Sequence, residues 1–83
     1  MTIQVLGPGC ARCKQTFQVI EEALKQLNLT ADLSKVEDIR EIARFRIMST
    51  PAVVINGKVK CSGKVPSVAE VTSYITTALS DAS

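Results

Sequence analysis

The run Thr50-Pro51-Ala52-Val53-Val54-Ile55-Asn56-Gly57-Lys58-Val59-Lys60-Cys61 is the part of the chain from which the rest can be read. Val53, Val54 and Ile55 are β-branched, and Asn56-Gly57 is the preferred two-residue type I′ turn. The residues after the turn alternate in polarity, so the run predicts an antiparallel hairpin. No polar residue interrupts Val53-Val54-Ile55, as expected of a strand covered on both faces. Helices should therefore lie on either side of the sheet. In the returning strand, Cys61 alternates with Val59 toward the predicted inner face, as a small core side chain. Lys58 and Lys60 face outward, and with Lys64 they would guard an exposed strand edge.

Working outward, Pro51 stops a helix predicted near residues 37–46, where Glu37 and Asp38 put negative charge in the first turn. Ser34 and Glu37 have capping-box spacing for that helix. Ala31–Val36 reads as a short, weakly signalled strand. Residues 11–27 carry Phe17, Ile20, Leu24 and Leu27 as one helical stripe, with Asn28 suited to its end. Thr2–Leu6 is a short strand closed by Gly7-Pro8-Gly9. Downstream, Pro66-Ser67 and Glu70 open a last helix through about Leu79, with Val68, Val71, Ile75 and Ala78 on one face. The order is β-α-β-α-β-β-α, an α/β chain read as a single domain over residues 1–83.

At 83 residues, 46% apolar and 22% charged, the chain is an ordinary small globular domain rather than a disordered one. A net charge of +2 is too small to argue for nucleic acid or an anionic membrane. No apolar run has the length of a membrane span, and Met1–Leu6 lacks a basic leader, so a cytoplasmic protein is expected; a monomer is the default expectation. The chain has no histidine, which removes Ser-His-Asp and Cys-His catalysis, haem attachment and imidazole zinc sites. Phe17, Phe45 and Tyr74 are too few to stack single-stranded nucleic acid. Three cysteines are also too few for a Cys-only structural zinc site. Chemistry is thus expected at sulfur.

Cys10-Ala11-Arg12-Cys13 falls where the first strand gives way to the first helix. Unpaired N–H groups and the positive dipole end stabilise an anion there, so a cysteine at that position ionises readily, and the thiolate is the nucleophile. Cys10 is expected to be exposed and attacking. Cys13, one turn in, is expected to close a disulfide with Cys10 or to resolve a mixed one. Arg12 adds a positive charge that would tune the Cys10 pKa downward, and Gly7 and Gly9 would leave room for an approaching partner. Two other readings compete: a pair of cysteines buried as small hydrophobes, and a thiolate pair holding a soft metal or metalloid. A heavy-metal-associated copper chaperone also sets Cys-x-x-Cys between strand and helix. Its β-α-β-β-α-β order differs, and its usual motif Met is replaced here by Pro8.

The motif after the first strand, together with Ser49-Thr50-Pro51-Ala52-Val53-Val54-Ile55-Asn56-Gly57-Lys58-Val59, resembles the thioredoxin family across essentially the whole chain. The nearest likeness is to short archaeal- and bacterial-type members of glutaredoxin size. Glu41–Ile47 is similar to the helix that leads into that family's proline. The resemblance implies a four-stranded mixed sheet flanked by three helices, and no bound metal or cofactor beyond a redox-active Cys10–Cys13 disulfide. It further implies that Thr50-Pro51 is cis and that Thr50 offers backbone hydrogen bonds to an extended substrate. The implied activity is thiol–disulfide exchange with disulfide-containing proteins. Three departures stand out. Gly9-Cys10-Ala11-Arg12-Cys13 replaces Trp-Cys-Gly-Pro-Cys. Gln4 occupies the place, six residues before the first cysteine, where thioredoxins carry a buried Asp. Ser62-Gly63-Lys64-Val65-Pro66-Ser67 lacks the acidic residue with which glutaredoxins hold glutathione. Electrons are accordingly expected from a flavin- and NADPH-dependent thioredoxin reductase.

Overall fold

A computed structural model describes residues 1–9, 11–47 and 49–80. The elements, in order, are β1 (Thr2–Leu6), α1 (Ala11–Gln26), β2 (Asp32–Val36), α2 (Ile39–Arg44), β3 (Ala52–Ile55), β4 (Lys58–Ser62) and α3 (Val68–Ser80). They form one mixed sheet in the order β2-β1-β3-β4. β1 runs parallel to β2 and antiparallel to β3, and β3 pairs antiparallel with β4. This is the four-stranded, three-helix arrangement expected from the sequence.

The pleat of β1 and β3 divides the core in two. Ile3, Val5, Val53, Ile55 and Cys61 face Ile20, Ala23 and Leu24 of α1 and Val71, Ile75 and Ala78 of α3. On the other face Leu6, Ala52 and Val54 meet Ile42 of α2. All four residues of β3 are buried, as the unbroken apolar run requires. Each fully buried Ile or Val removes enough apolar surface from water to contribute about 1.5–3 kcal/mol. The larger layer, under α1 and α3, is therefore the main source of stability.

The hairpin turn adopts positive φ at both Asn56 (51°) and Gly57 (82°), as a type I′ turn demands. Asn56 also ties down the chain start. Its side-chain oxygen accepts from Thr2 N, and its own N–H donates to the Thr2 carbonyl. Helix ends follow their signals. Asn28, with φ 55°, closes α1, while its N–H donates to Lys25 O and that of Leu29 to Leu24 O, a Schellman arrangement. Ser67 and Glu70 exchange side-chain and backbone hydrogen bonds, a capping box opening α3.

Three details differ from the sequence reading. The cap of α2 is Asp38, whose side chain accepts from Arg40 N, whereas Ser34 lies inside β2. Val59 and Cys61 do not share a face. The register shifts between Val53, which pairs with Cys61, and Val54, which pairs with Val59, so Lys60 is an extra residue on the β4 side. That bulge sends Cys61 into the α1/α3 core and leaves Val59 exposed. Lys64 lies beyond β4, where its ammonium meets Glu70 at 2.7 Å instead of guarding the edge.

Candidate active site

Cys13 is the third residue of α1 and begins its inward stripe, which continues through Thr16, Ile20, Ala23 and Leu24. It is 6% exposed. Thr16, fully buried, is satisfied by donating to the Arg12 carbonyl at 2.8 Å, which stiffens the first turn. The space for the Cys13 sulfur comes from Gly7. A Cβ at residue 7 would overlap Cys13 Sγ and would also stand 3.8 Å from Thr50 Cβ. Gly7 is thus a thin partition between the cysteine and the Thr50 side chain. The room it provides is taken by Cys13, not kept open for a partner as the sequence suggested.

The Thr50–Pro51 peptide bond is cis, with Pro51 fully buried and Thr50 half-buried. The Pro51 carbonyl accepts from Gly63 N–H at 2.9 Å. Gly63 itself has φ 79°, and a Cβ there would come 2.5 Å from Ser49 Oγ. Only glycine meets both conditions, so the exit of β4 is locked against the loop carrying Thr50-Pro51. Sequence reading passed over Gly63, although a glycine directly after a strand is a recognised signal for such a close approach.

Pro8 separates two open cavities, each of about 250 Å³. One is lined by Cys13 with Val5 and Gly7, and by Lys14, Lys35 and Glu37. The other is apolar, with Ile39, Ile42 and Ile47 beside Ser49 and Thr50. Ile39 is 74% exposed there. The structure therefore brings Cys13, Thr50 and Pro51 together around the β1–α1 turn. Cys10, the attacking residue of the sequence reading, lies outside the described residues. Arg12 is exposed and contributes its carbonyl to Thr16.

Counting back from the motif to Gln4 also needs correction. Gln4 pairs with Val54 and so shares the α2 face. The β1 residue that lines the Cys13 cavity is Val5. From β1, then, an apolar side chain faces Cys13, and the charged groups arrive from α1 and the end of β2. Lys35 reaches over the Phe17 ring, 4.7 Å from its centroid. Lys35 and Glu37 were not singled out as site residues by the sequence, because their approach to Cys13 depends on the parallel β1–β2 register.

Cys61 belongs to a different environment. Its thiol donates to Lys64 O at 3.7 Å, and burial pushes its pKa up. The nearby Lys64 charge pulls it down, Glu70 raises it, and a hydrogen bond with Tyr74 lowers it again. Glu70 is held below the usual carboxylate range chiefly by its hydrogen bond with Lys64, whose own pKa rises for the same reason. Among the described residues, no group of three or more Cys, Asp or Glu side chains is disposed to hold a metal ion. None of the described helices is long and apolar enough to cross a membrane.

A helix-start cysteine under the strand–helix turn, facing a cis X-Pro bond across one glycine, on a β2-β1-β3-β4 mixed sheet, defines a thioredoxin-fold thiol site. The thioredoxin-domain family matches residues 1–76, and the chain belongs to the thioredoxin family, a family of thiol–disulfide redox proteins. It is 35% identical to a thioredoxin of Methanocaldococcus jannaschii over 71 residues, covering 86% of this chain and 81% of that one. It is 31% identical to a thioredoxin of Methanothermobacter thermautotrophicus over 71 residues, covering 86% and 92%. A probable thioredoxin of Methanothermobacter marburgensis is 30% identical over 60 residues, covering 69% and 71%.

Proposed function

We propose that this protein is a dithiol carrier that reduces or exchanges disulfides in other proteins. The Cys10 thiolate attacks a substrate disulfide and forms a mixed disulfide. Cys13 then attacks the Cys10 sulfur, releasing the reduced substrate and leaving a Cys10–Cys13 disulfide. Thr50 and Pro51 receive the extended substrate, and the apolar cavity beside Thr50 takes its neighbouring side chains. A thioredoxin-reductase-like flavoprotein in the cytoplasm returns the electrons. The observation that carries this reading is the burial of Cys13 at the first turn of α1, one glycine away from Thr50 and in the wall of an open cavity.

The test is a redox titration in graded dithiol/disulfide buffers, with free thiols trapped and counted by mass. One reversible two-thiol transition is expected, abolished by Cys10→Ser, while Cys61 stays unmodified until the protein is denatured. If no two-thiol step appears, or all three thiols react together, the dithiol reading fails and soft-metal or metalloid binding by the Cys10/Cys13 pair replaces it.

A further inference from the structure

Cys13 must lose a proton before it can attack, and the β1 side chain facing its cavity is Val5, which can accept none. Among the described residues, the remaining titratable groups lining that cavity are Lys14 from α1, Lys35 from β2, and Glu37 just beyond β2. A lysine ammonium only donates, whereas a carboxylate accepts. Glu37 is also tucked against the active-site turn: its Oε2 lies 3.6 Å from where a Gly9 Cβ would stand. It precedes the cap of α2, which is Asp38, so it is not needed to start that helix. The cavity, at about 250 Å³, has room for a water to bridge thiol and carboxylate.

We propose that Glu37 is the proton acceptor for Cys13 in the resolving step, an assignment that rests on the dithiol reading above. In the mixed disulfide, the Cys10 sulfur is bonded to the substrate sulfur. The Cys13 proton passes through water to the Glu37 carboxylate, and the Cys13 thiolate attacks the Cys10 sulfur. The Cys13–Cys10 bond forms as the Cys10–substrate bond breaks. The substrate sulfur leaves with the electron pair and is protonated by Glu37 or solvent. Overall the protein dithiol loses two electrons and the substrate disulfide gains two. Lys14 and Lys35 add positive charge that favours the transient thiolate. The acid that β1 lacks is thereby supplied by the end of the neighbouring parallel strand.

The test uses the full chain, reduced, mixed rapidly with an aromatic disulfide whose thiol products absorb light. Attack by Cys10 releases the first equivalent and resolution by Cys13 the second, followed from pH 5.5 to 9. Glu37→Gln is expected to leave the first phase unchanged and to slow the second about tenfold below pH 7, less than a fully enclosed base supplies because solvent competes. The two proteins should converge at alkaline pH, where hydroxide ionises the thiol, and Glu37→Asp should restore part of the lost rate. A second phase that is unchanged overturns the assignment. So does one that is faster, because a carboxylate acting only by its charge would hinder Cys13 ionisation, and its loss would speed the step. If the unsubstituted protein releases only one equivalent, the dithiol reading itself falls, and this assignment with it.

Discussion

Cys13 and Cys61 are both buried, 6% and 7% exposed, yet their surroundings point to opposite uses. Cys13 stands in the first turn of a 16-residue helix, where free N–H groups favour a thiolate, and it borders an open cavity carrying three charged side chains. Cys61 sits on a strand beneath α3, donates to a backbone carbonyl, and is kept protonated by burial. Burial alone therefore does not separate a working cysteine from a structural one. What separates them is the element that carries the sulfur and whether a path to solvent ends on it.

The sharpest way to break this contrast is to remove each sulfur in turn. Cys13→Ser is expected to lower turnover of a protein disulfide by at least about 100-fold and to leave a stable adduct on Cys10, visible by mass, because nothing resolves it. Cys61→Ala should keep turnover within about twofold while costing about 1 kcal/mol in denaturant unfolding, as a small core truncation does. Turnover losses of equal size in the two variants would erase the distinction.

The next effect concerns the space around each sulfur. Gly7→Ala places a methyl group on the Cys13 sulfur and near Thr50. Overpacking of this kind costs about 1–3 kcal/mol, and here it also displaces the thiol, so stability and resolving rate should fall together. Gly57→Ala is the control: its Cβ meets nothing within 4 Å, so only the positive φ is penalised, by about 1 kcal/mol, with no change in thiol chemistry. Thermal melts combined with single-turnover rates distinguish the two.

Much of this arrangement was legible in the sequence, and the exceptions have specific causes. The Asn56-Gly57 turn, the Ser67/Glu70 box and the unbroken Val53-Val54-Ile55 run are local signals, and each formed as read. The misreadings depended on register. Period-two alternation put Val59 and Cys61 on one face, but a bulge at Lys60 changes the phase, and no Gly or Pro marks it. Counting six residues back from Cys10 led to Gln4, yet the pleat turns Val5 toward Cys13. Lys35 and Glu37 reach the site only because β2 lies parallel beside β1, a pairing between segments nearly thirty residues apart. The place of Cys13 in the first turn of α1 was legible, since a helix start is readable from one segment.

Alkylation as a function of pH sharpens the contrast further. A thiol whose folded pKa is raised binds its proton more tightly in the native than in the unfolded chain. Its contribution to stability is present below the unfolded thiol value and is lost as pH rises above it toward the folded value. Cys61 should thus react more slowly with iodoacetamide than it does in the unfolded chain, even near pH 8.5 where an ordinary thiol is half ionised. The protein should also become measurably easier to unfold between that pH and more alkaline values, a trend removed by Cys61→Ala. Rapid labelling of Cys61 in the native protein at neutral pH would show that the strand is not closed over it.

The smallest expected effect lies at Arg12, inside the Cys-x-x-Cys motif and exposed. Its guanidinium favours the thiolate, which exists only in the reduced protein, so it stabilises the reduced state and raises the reduction potential. Solvent and salt screen an exposed charge, leaving at most about 0.5 kcal/mol. With about 30 mV corresponding to roughly 1.4 kcal/mol for a two-electron couple, Arg12→Ala should lower the potential by about 10 mV. The shift should shrink further in high salt, whereas Arg12→Lys should retain most of it. An unchanged or higher potential in Arg12→Ala would assign the residue to its other contribution, the carbonyl that accepts from Thr16, which every substitution at this position preserves. The tuning of the thiol pair would then fall to Lys14, Lys35 and Glu37, the charged side chains that line the Cys13 cavity.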